Sequence, residues 1–402
     1  MSALSPAESP APSTPGPASP GLITDTATLA AFCQRLASAE FITVDTEFMR
    51  ETTFWARLCL VQVGGPDEAH CIDPLAPGLD LAPLYALLAN ENVLKVFHAA
   101  RQDLEIFLHE SGRLPKPVFD TQVAAMVCGF GDQVGYETLV AKLANARLDK
   151  SQRFTDWSRR PLTDRQVKYA LGDVTHLRKA FTALVHRLER TGRLSWLNEE
   201  MSLLTDERTY TIEPREAWRR IKARVRSPRM LAVLRELAAW REETARSLDW
   251  PRQRVAKDDA LLELAAHPPE SADDIKRARL AKPLAAERFV AAVLAAVRRG
   301  KEVPDADCPR LPAYDDQDQG PRATVELLKL LLKIESERHD VAARLIASSD
   351  DIEAIAVSDT ADVPALHGWR REVFGEAALK LKHGKLAIGL SPTGKQVEVF
   401  ER

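Results

Sequence analysis

The chain has 402 residues, 45% of them hydrophobic and 28% charged, with a formal net charge of -3. This length suits two or three domains, the apolar content excludes a wholly disordered chain, and no apolar run reaches membrane-spanning length. Five cysteines, odd in number and without C-x-x-C spacing, argue against a disulfide framework or a zinc site.

Residues 1–21 are rich in Pro, Ala and Ser, with neither the basic flank nor the apolar core of a secretory leader, and are expected to be a disordered tail. Together with the cysteine usage, this predicts a cytoplasmic protein. From about residue 22 to 205 the pattern is that of an α/β domain. A helical stretch "DTATLAAFCQRLAS" precedes three short β-type runs, "FITVDTEF", "ARLCLVQVG" and "AHCIDP". Helical and strand segments then alternate through "LAPLYALLAN", "NVLKVFHA" and "ARQDLEIFLHESG", so a three-strand meander leads into a mixed sheet. A long helix starts after Pro161 with a capping box, Thr163 as N-cap and Gln166 three residues on.

Beyond Pro214 the chain is predicted to be entirely helical. Two segments of similar size, 210–299 and 322–402, flank a Pro- and Asp-rich stretch at 300–321 that reads as a linker; their slight sequence identity fits either a diverged duplication or two unrelated helical units. Between Glu213 and Gly300 stand 20 Lys and Arg against 13 Asp and Glu, with a dense run at Arg219, Arg220, Lys222, Arg224, Arg226 and Arg229. Such a run fits a polyanion-binding surface or a solvated helix face.

The first strand raises the chemical question. Alternation places Asp45 and Glu47 on one face, together with Thr43 and Met49. Two adjacent carboxylates repel, so they sit at an edge as a solvated pair, or one serves as an N-cap just after the strand, or they share a divalent cation. Further acids stand on later elements: Asp103 on the helix after "VLKVFHA", and Asp173 on the capped helix, four residues after Tyr169 and on the same face. Asp120, in "VFDTQVAA", suits a helix N-cap better than a ligand role.

The set "VDTEF", "FHAARQDLEIF" and "YALGDVTHL", reinforced by "LDKSQRFTDWSRRPLTDRQVKYA", resembles the ribonuclease D family of the DEDD superfamily, tyrosine subtype. The resemblance runs from about residue 22 onward and is weaker over the last 80 or so residues. It implies an RNase H-like 3'-5' exonuclease domain followed by two all-α HRDC-type domains. It also implies Asp45, Glu47, Asp103 and Asp173 as ligands of two divalent ions, Mg²⁺ or Mn²⁺, with Tyr169 orienting the attacking water. The implied substrates are tRNA precursors and other small structured RNAs, and no protein partner is required.

Phe48 and His98 flank the expected site and suit nucleotide stacking or core packing. Lys150, Trp157 and Arg160 suit a grip on the substrate backbone, Trp157 equally a packing anchor. In the helical region Arg220, Arg224 and Arg226 are the expected phosphate contacts. A DNA exonuclease of the same fold and a non-catalytic RNA-binding adaptor are the rival readings.

Overall fold

The computed structural model describes residues 21–148, 151–152, 155–222, 227–310, 322–391, 394 and 397–402. Lys150, Arg224 and Arg226 therefore lie outside the described residues, as does the N-terminal tail.

Six strands form the first sheet: β1 (Leu22–Ile23), β2 (Phe41–Met49), β3 (Arg57–Gly64), β4 (Ala69–Ile72), β5 (Leu94–Phe97) and β6 (Val118–Asp120), in the order β1-β4-β3-β2-β5-β6. The expected meander β2-β3-β4 is antiparallel, whereas β5 and β6 run parallel to β2 and β1 runs parallel to β4. Alternation along β2 sends Ile42 and Val44 into a core shared with α1 (Thr26–Leu36), α2 (Ala82–Leu88) and α3 (Arg101–Ser111). The opposite face is covered by α4 (Thr121–Val127), α5 (Tyr136–Leu143) and α6 (Asp164–Arg190). Thr43, Asp45 and Glu47 look toward that second layer.

Helix α6 starts as expected, with the Thr163–Gln166 capping box formed in both directions. Val167, Ala170, Val174, Leu177, Phe181, Leu184 and Leu188 are buried along it at three- and four-residue spacing. Its close approach to the sheet depends on Gly64: a Cβ there would stand 2.5 Å from Thr43 Oγ1. That hydroxyl donates to the Val174 carbonyl at 2.9 Å, so the helix is keyed to β2 beside Asp45.

After α7 (Asn198–Leu204) come two helical units. The first holds α8 (Pro228–Leu248), α9 (Arg252–Val255), α10 (Asp258–Ala266), α11 (Ala272–Arg277) and α12 (Glu287–Glu302) around its own core. The second holds α13 (Arg322–His339), α14 (Ala343–Ile346), α15 (Ser349–Val357), α16 (Gly368–Arg370) and α17 (Glu376–Lys382). In both, a long helix ends at an Asp with positive φ, Asp249 at 49° and Asp340 at 52°, and is followed by a four-residue and a nine-residue helix.

Two expectations fail here. The region beyond Pro214 is not all helical: Leu386–Leu390 (β7) and Val397–Glu401 (β8) form an antiparallel hairpin. The apolar "LAIGL" and the β-branched and aromatic "VEVFE" flank "SPTGK", whose Pro and Gly disfavour a helix. Nor does a linker begin at Gly300, because α12 continues to Glu302. Gly300 packs against α8, where a Cβ would come within 2.5 Å of Val233 Cα, and Arg229 donates to the carbonyls of Lys301 and Val303, fastening the end of α12.

Candidate active site

Three elements bring the acids together. Asp45 and Glu47 project from β2, and Asp173 comes from α6 above them. Carboxylate oxygens of Asp45, Glu47 and Asp173 all lie within 4.8 Å of one another. Asp103, in the first turn of α3, approaches the same strand end, and its carboxylate accepts a hydrogen bond from Thr46 Oγ1. The register shift between Glu47 and Phe48 interrupts the β2–β3 ladder at this point.

Asp120 sets the position of Asp103, as well as capping α4 through Gln122 N–H at 2.8 Å. Its two oxygens also accept from the amides of Ala99 and Ala100, each at 2.9 Å, holding the β5–α3 turn in which Ala99 has a φ of 59°. The N-cap reading is thus correct, and its grip on the neighbouring turn is an addition. A capping motif announces a partner two residues ahead but not one twenty residues behind.

The electrostatics of the cluster are unfavourable without a cation. Burial pushes Asp45 up to about 7. Burial raises Glu47 to about 9, helped by the charges of Asp45, Asp173 and Asp103. Burial and then Asp45 raise Asp173 to about 8. Asp103 is also held well above the carboxylate range, by burial first and Asp45 second. None of the four has an ion-pair partner among the described residues. An all-oxygen set of crowded carboxylates suits a hard divalent cation, whose charge removes the repulsion that otherwise keeps protons bound. The residues present therefore fit the metal that the family resemblance implies.

Tyr169 lies half-buried on the α6 face that carries Asp173, with its ring 6.1 Å from that of Trp157. Tyr169 and Asp173 line a cleft of about 430 Å³ together with Arg147, Asp164, Arg165, Lys168 and His176. The three cations suit an incoming phosphate backbone, and none stands out in the sequence, where each is one basic residue among many. Tyr136 supports the helix from below, donating its hydroxyl to the carbonyls of Asp173 at 2.6 Å and Gly172 at 3.2 Å.

Three expected substrate contacts have other work. His98 is half-buried, with Nδ1 3.0 Å from Thr121 Oγ1 and Nε2 3.1 Å from the Val134 carbonyl, so both nitrogens are engaged. Arg160 forms a bidentate pair with Asp73 at 2.6 and 2.7 Å and donates further to the carbonyls of Cys59, Trp157 and Arg159. It buckles the segment before α6 to β3 and β4 and has no donor left for RNA. Trp157 is 3% exposed and packs with Cys59, Leu60, Cys71, Val167 and Ala170, the packing alternative. Phe48 remains half-exposed beside Glu47, and Arg220 is exposed. Within the basic run, Arg219 pairs with Glu216 and Arg229 with Asp305, which removes both from a free phosphate-binding surface.

Comparison with known proteins agrees with this geometry. A family profile described as 3'-5' exonuclease matches residues 20–189, and an HRDC domain profile matches residues 230–297. Ribonuclease D of Nitrobacter hamburgensis is 52% identical over 379 residues, covering 94% of this chain and 99% of the relative. The chain belongs to the ribonuclease D family. Ribonuclease D of Granulibacter bethesdensis is 50% identical over 384 residues, covering 95% and 97% of the two chains. The crystal structure of Escherichia coli RNase D, described as an exoribonuclease involved in structured RNA processing, superimposes with a TM-score of 0.78 at 32% identity, covering 90% of this chain and 98% of that one. The chain is accordingly a 3'-5' exoribonuclease with an HRDC domain behind its exonuclease domain. Among the described residues, no helix is long and apolar enough to cross a membrane.

Proposed function

We propose that this enzyme trims the 3' ends of tRNA precursors and other small structured RNAs, releasing nucleoside 5'-monophosphates by two-metal-ion hydrolysis. The observation that carries the reading is the convergence of Asp45, Glu47 and Asp173 within 4.8 Å, with Asp103 held beside them by Thr46. Divalent ions held there, Mg²⁺ or Mn²⁺, would supply charge neutralisation at the scissile phosphate and a more acidic attacking water. The four carboxylates supply the oxygen ligands. Tyr169 orients the attacking water through its hydroxyl. Arg147, Arg165 and Lys168 guide the phosphate backbone toward the acids, and Phe48 offers its exposed edge to the terminal base.

The second helical unit reads as a further HRDC-type domain, supported by its repeated order of long, four-residue and nine-residue helices. Arg220, together with Arg224 and Arg226, is the proposed contact with the body of a folded RNA.

The test uses a 3'-extended tRNA labelled at its 5' end, alongside a matched DNA. A ladder that shortens from the 3' end, is abolished by chelator, and is lost in Asp173→Asn with the fold retained is the expected result. Equal digestion of the DNA would favour the rival substrate class, and chelator-resistant digestion would sink the metal assignment.

A further inference from the structure

Beside the acids lies a polar side chain that the chemistry above does not use. Gln62 on β3 is fully buried, and neither its amide nitrogen nor its amide oxygen has a hydrogen-bond partner among the described residues. Both ends of a primary amide are rarely left unpaired in a protein interior, because each has lost its water without replacement. In the buried part of the strand, "LCLVQVG" after the exposed Arg57, every other residue is apolar, and nothing in packing calls for a glutamine.

Its placement is specific. In the β2–β3 register Gln62 stands directly opposite Asp45, and in the β3–β4 register directly opposite Cys71. Opposed residues of an antiparallel pair project from the same face with Cβ atoms about 5 Å apart. Gln62 therefore shares the face that carries Asp45 and Glu47 and that α6 covers with Asp173. Its other neighbours on that face offer little. Leu60 and Gly64 flank it along the strand, the Cys71 thiol is turned to the Val167 carbonyl at 3.9 Å, and the Thr43 hydroxyl is engaged with the Gly64 and Val174 carbonyls. The Asp45 carboxylate is the one strong acceptor placed across from it.

We propose that Gln62 is a positioning residue for Asp45: its side-chain amide donates to one carboxylate oxygen of Asp45 when the site is loaded, and turns the other toward the cation shared with Glu47 and Asp173. The movement required is a rotation about the last side-chain torsions of Gln62, the terminal one of which has a broad profile. The proposal rests on Asp45 being a ligand, and it adds the group that aims it, as outer partners of metal-bound carboxylates do.

Gln62→Met keeps the length and most of the volume of the side chain and removes both polar ends. Calorimetric titration with Mn²⁺ should show an affinity about 10- to 100-fold weaker than the parent's. The melting temperature of the chelated protein should stay level or rise, because an unpaired amide has been removed. In turnover assays kcat should fall with KM little changed. A second measurement needs no variant: with glutamine side-chain amides labelled with ¹⁵N, the Gln62 NH₂ signals, assigned by their loss in Gln62→Met, should shift and exchange more slowly when Mg²⁺ is added to the parent. Parent-like Mn²⁺ affinity in Gln62→Met, or Gln62 amide signals that ignore Mg²⁺ in a parent that binds it, would overturn the proposal and leave a buried amide or one bonded only to an internal water. A parent that binds no Mn²⁺ would overturn the ligand assignment itself.

Discussion

The two helical units behind the nuclease domain are attached in different ways. The HRDC domain keeps its own core and receives two neighbouring side chains from the β2–β3 connection, Phe54, which is 6% exposed there, and the less deeply buried Trp55. Asp249, at the end of α8, accepts from the amides of Phe54 and Trp55 at 3.0 Å; Trp55 in turn stacks on His109 at 4.1 Å. The C-terminal unit has no separate core. Leu328, Ile346, Ile355 and Phe374 are continuous with Met126, Val127, Leu184 and Leu188 of the nuclease domain. The Ala342 amide donates to the Met126 carbonyl at 2.9 Å, Trp196 stacks on Trp369 at 4.3 Å, and buried Arg370 pairs with Glu199 and Glu200. Two units with the same helix order thus serve different physical ends: one is a clipped-on module, and the other completes the catalytic domain's hydrophobic core.

The largest expected effect is that of Phe374→Ala, which leaves a cavity in the shared core and should cost about 3 to 5 kcal/mol. Because that core is common, nuclease-domain amides on α4 and α6 should lose hydrogen-exchange protection together with those of α13. Loss confined to residues beyond 322 would break the comparison. Phe54→Ala should cost roughly 3 kcal/mol, the low end of the same range, because the connection can relax. Here protection should fall in α8 and α12 while α6 and α13 keep theirs, and a parallel loss in α13 would show that the modules are not independent.

A smaller, pH-driven effect sharpens the contrast. In chelator, the folded protein holds protons on Asp45, Glu47 and Asp173, whose values of about 7, 9 and 8 exceed the ordinary carboxylate range near 4. The folded state therefore binds more protons than the unfolded one between about pH 4 and 9, and stability falls as pH rises through that window. Proteolysis at pH 9 in chelator should open the nuclease domain and C-terminal unit together, spare residues 228–302, and be suppressed by Mn²⁺. Equal sensitivity of both helical units would contradict separate cores. The smallest change is Asp249→Gly. It removes the acceptor for two amides but relieves a backbone at φ 49°, so the net loss should be about 1 kcal/mol and should appear mainly as a faster-exchanging Trp55 amide.

Much of the catalytic face is legible in the sequence because its signals are local. Asp45 and Glu47 interrupt an apolar alternation, Tyr169 and Asp173 are one helical turn apart, and the Thr163–Gln166 box marks the start of α6. What escapes the sequence depends on chain-distant partners. Arg160 looks like a substrate contact until Asp73, just past β4 and 87 residues earlier, occupies its guanidinium. Gln62 gives no signal until the register sets it against Asp45. The merged core of the C-terminal unit is equally hidden, because an amphipathic helix has the same pattern whether it packs on its own unit or on another.

Helix α6 is the rod that joins these facts. It carries Tyr169 and Asp173 near one end, while Leu184, Leu188 and the Arg187–Asp340 pair near the other lie against the C-terminal unit. Its 27 residues span about 40 Å as one unbroken cylinder, so a tilt of about 2° pivoting at Arg190 would carry Asp173 through about 1 Å. That is a large displacement for an acid that must meet two others at ligand distance. The alignment of the clustered acids is therefore a long-lever problem, solved by anchoring the helix at its far end, some 25 Å from the cluster.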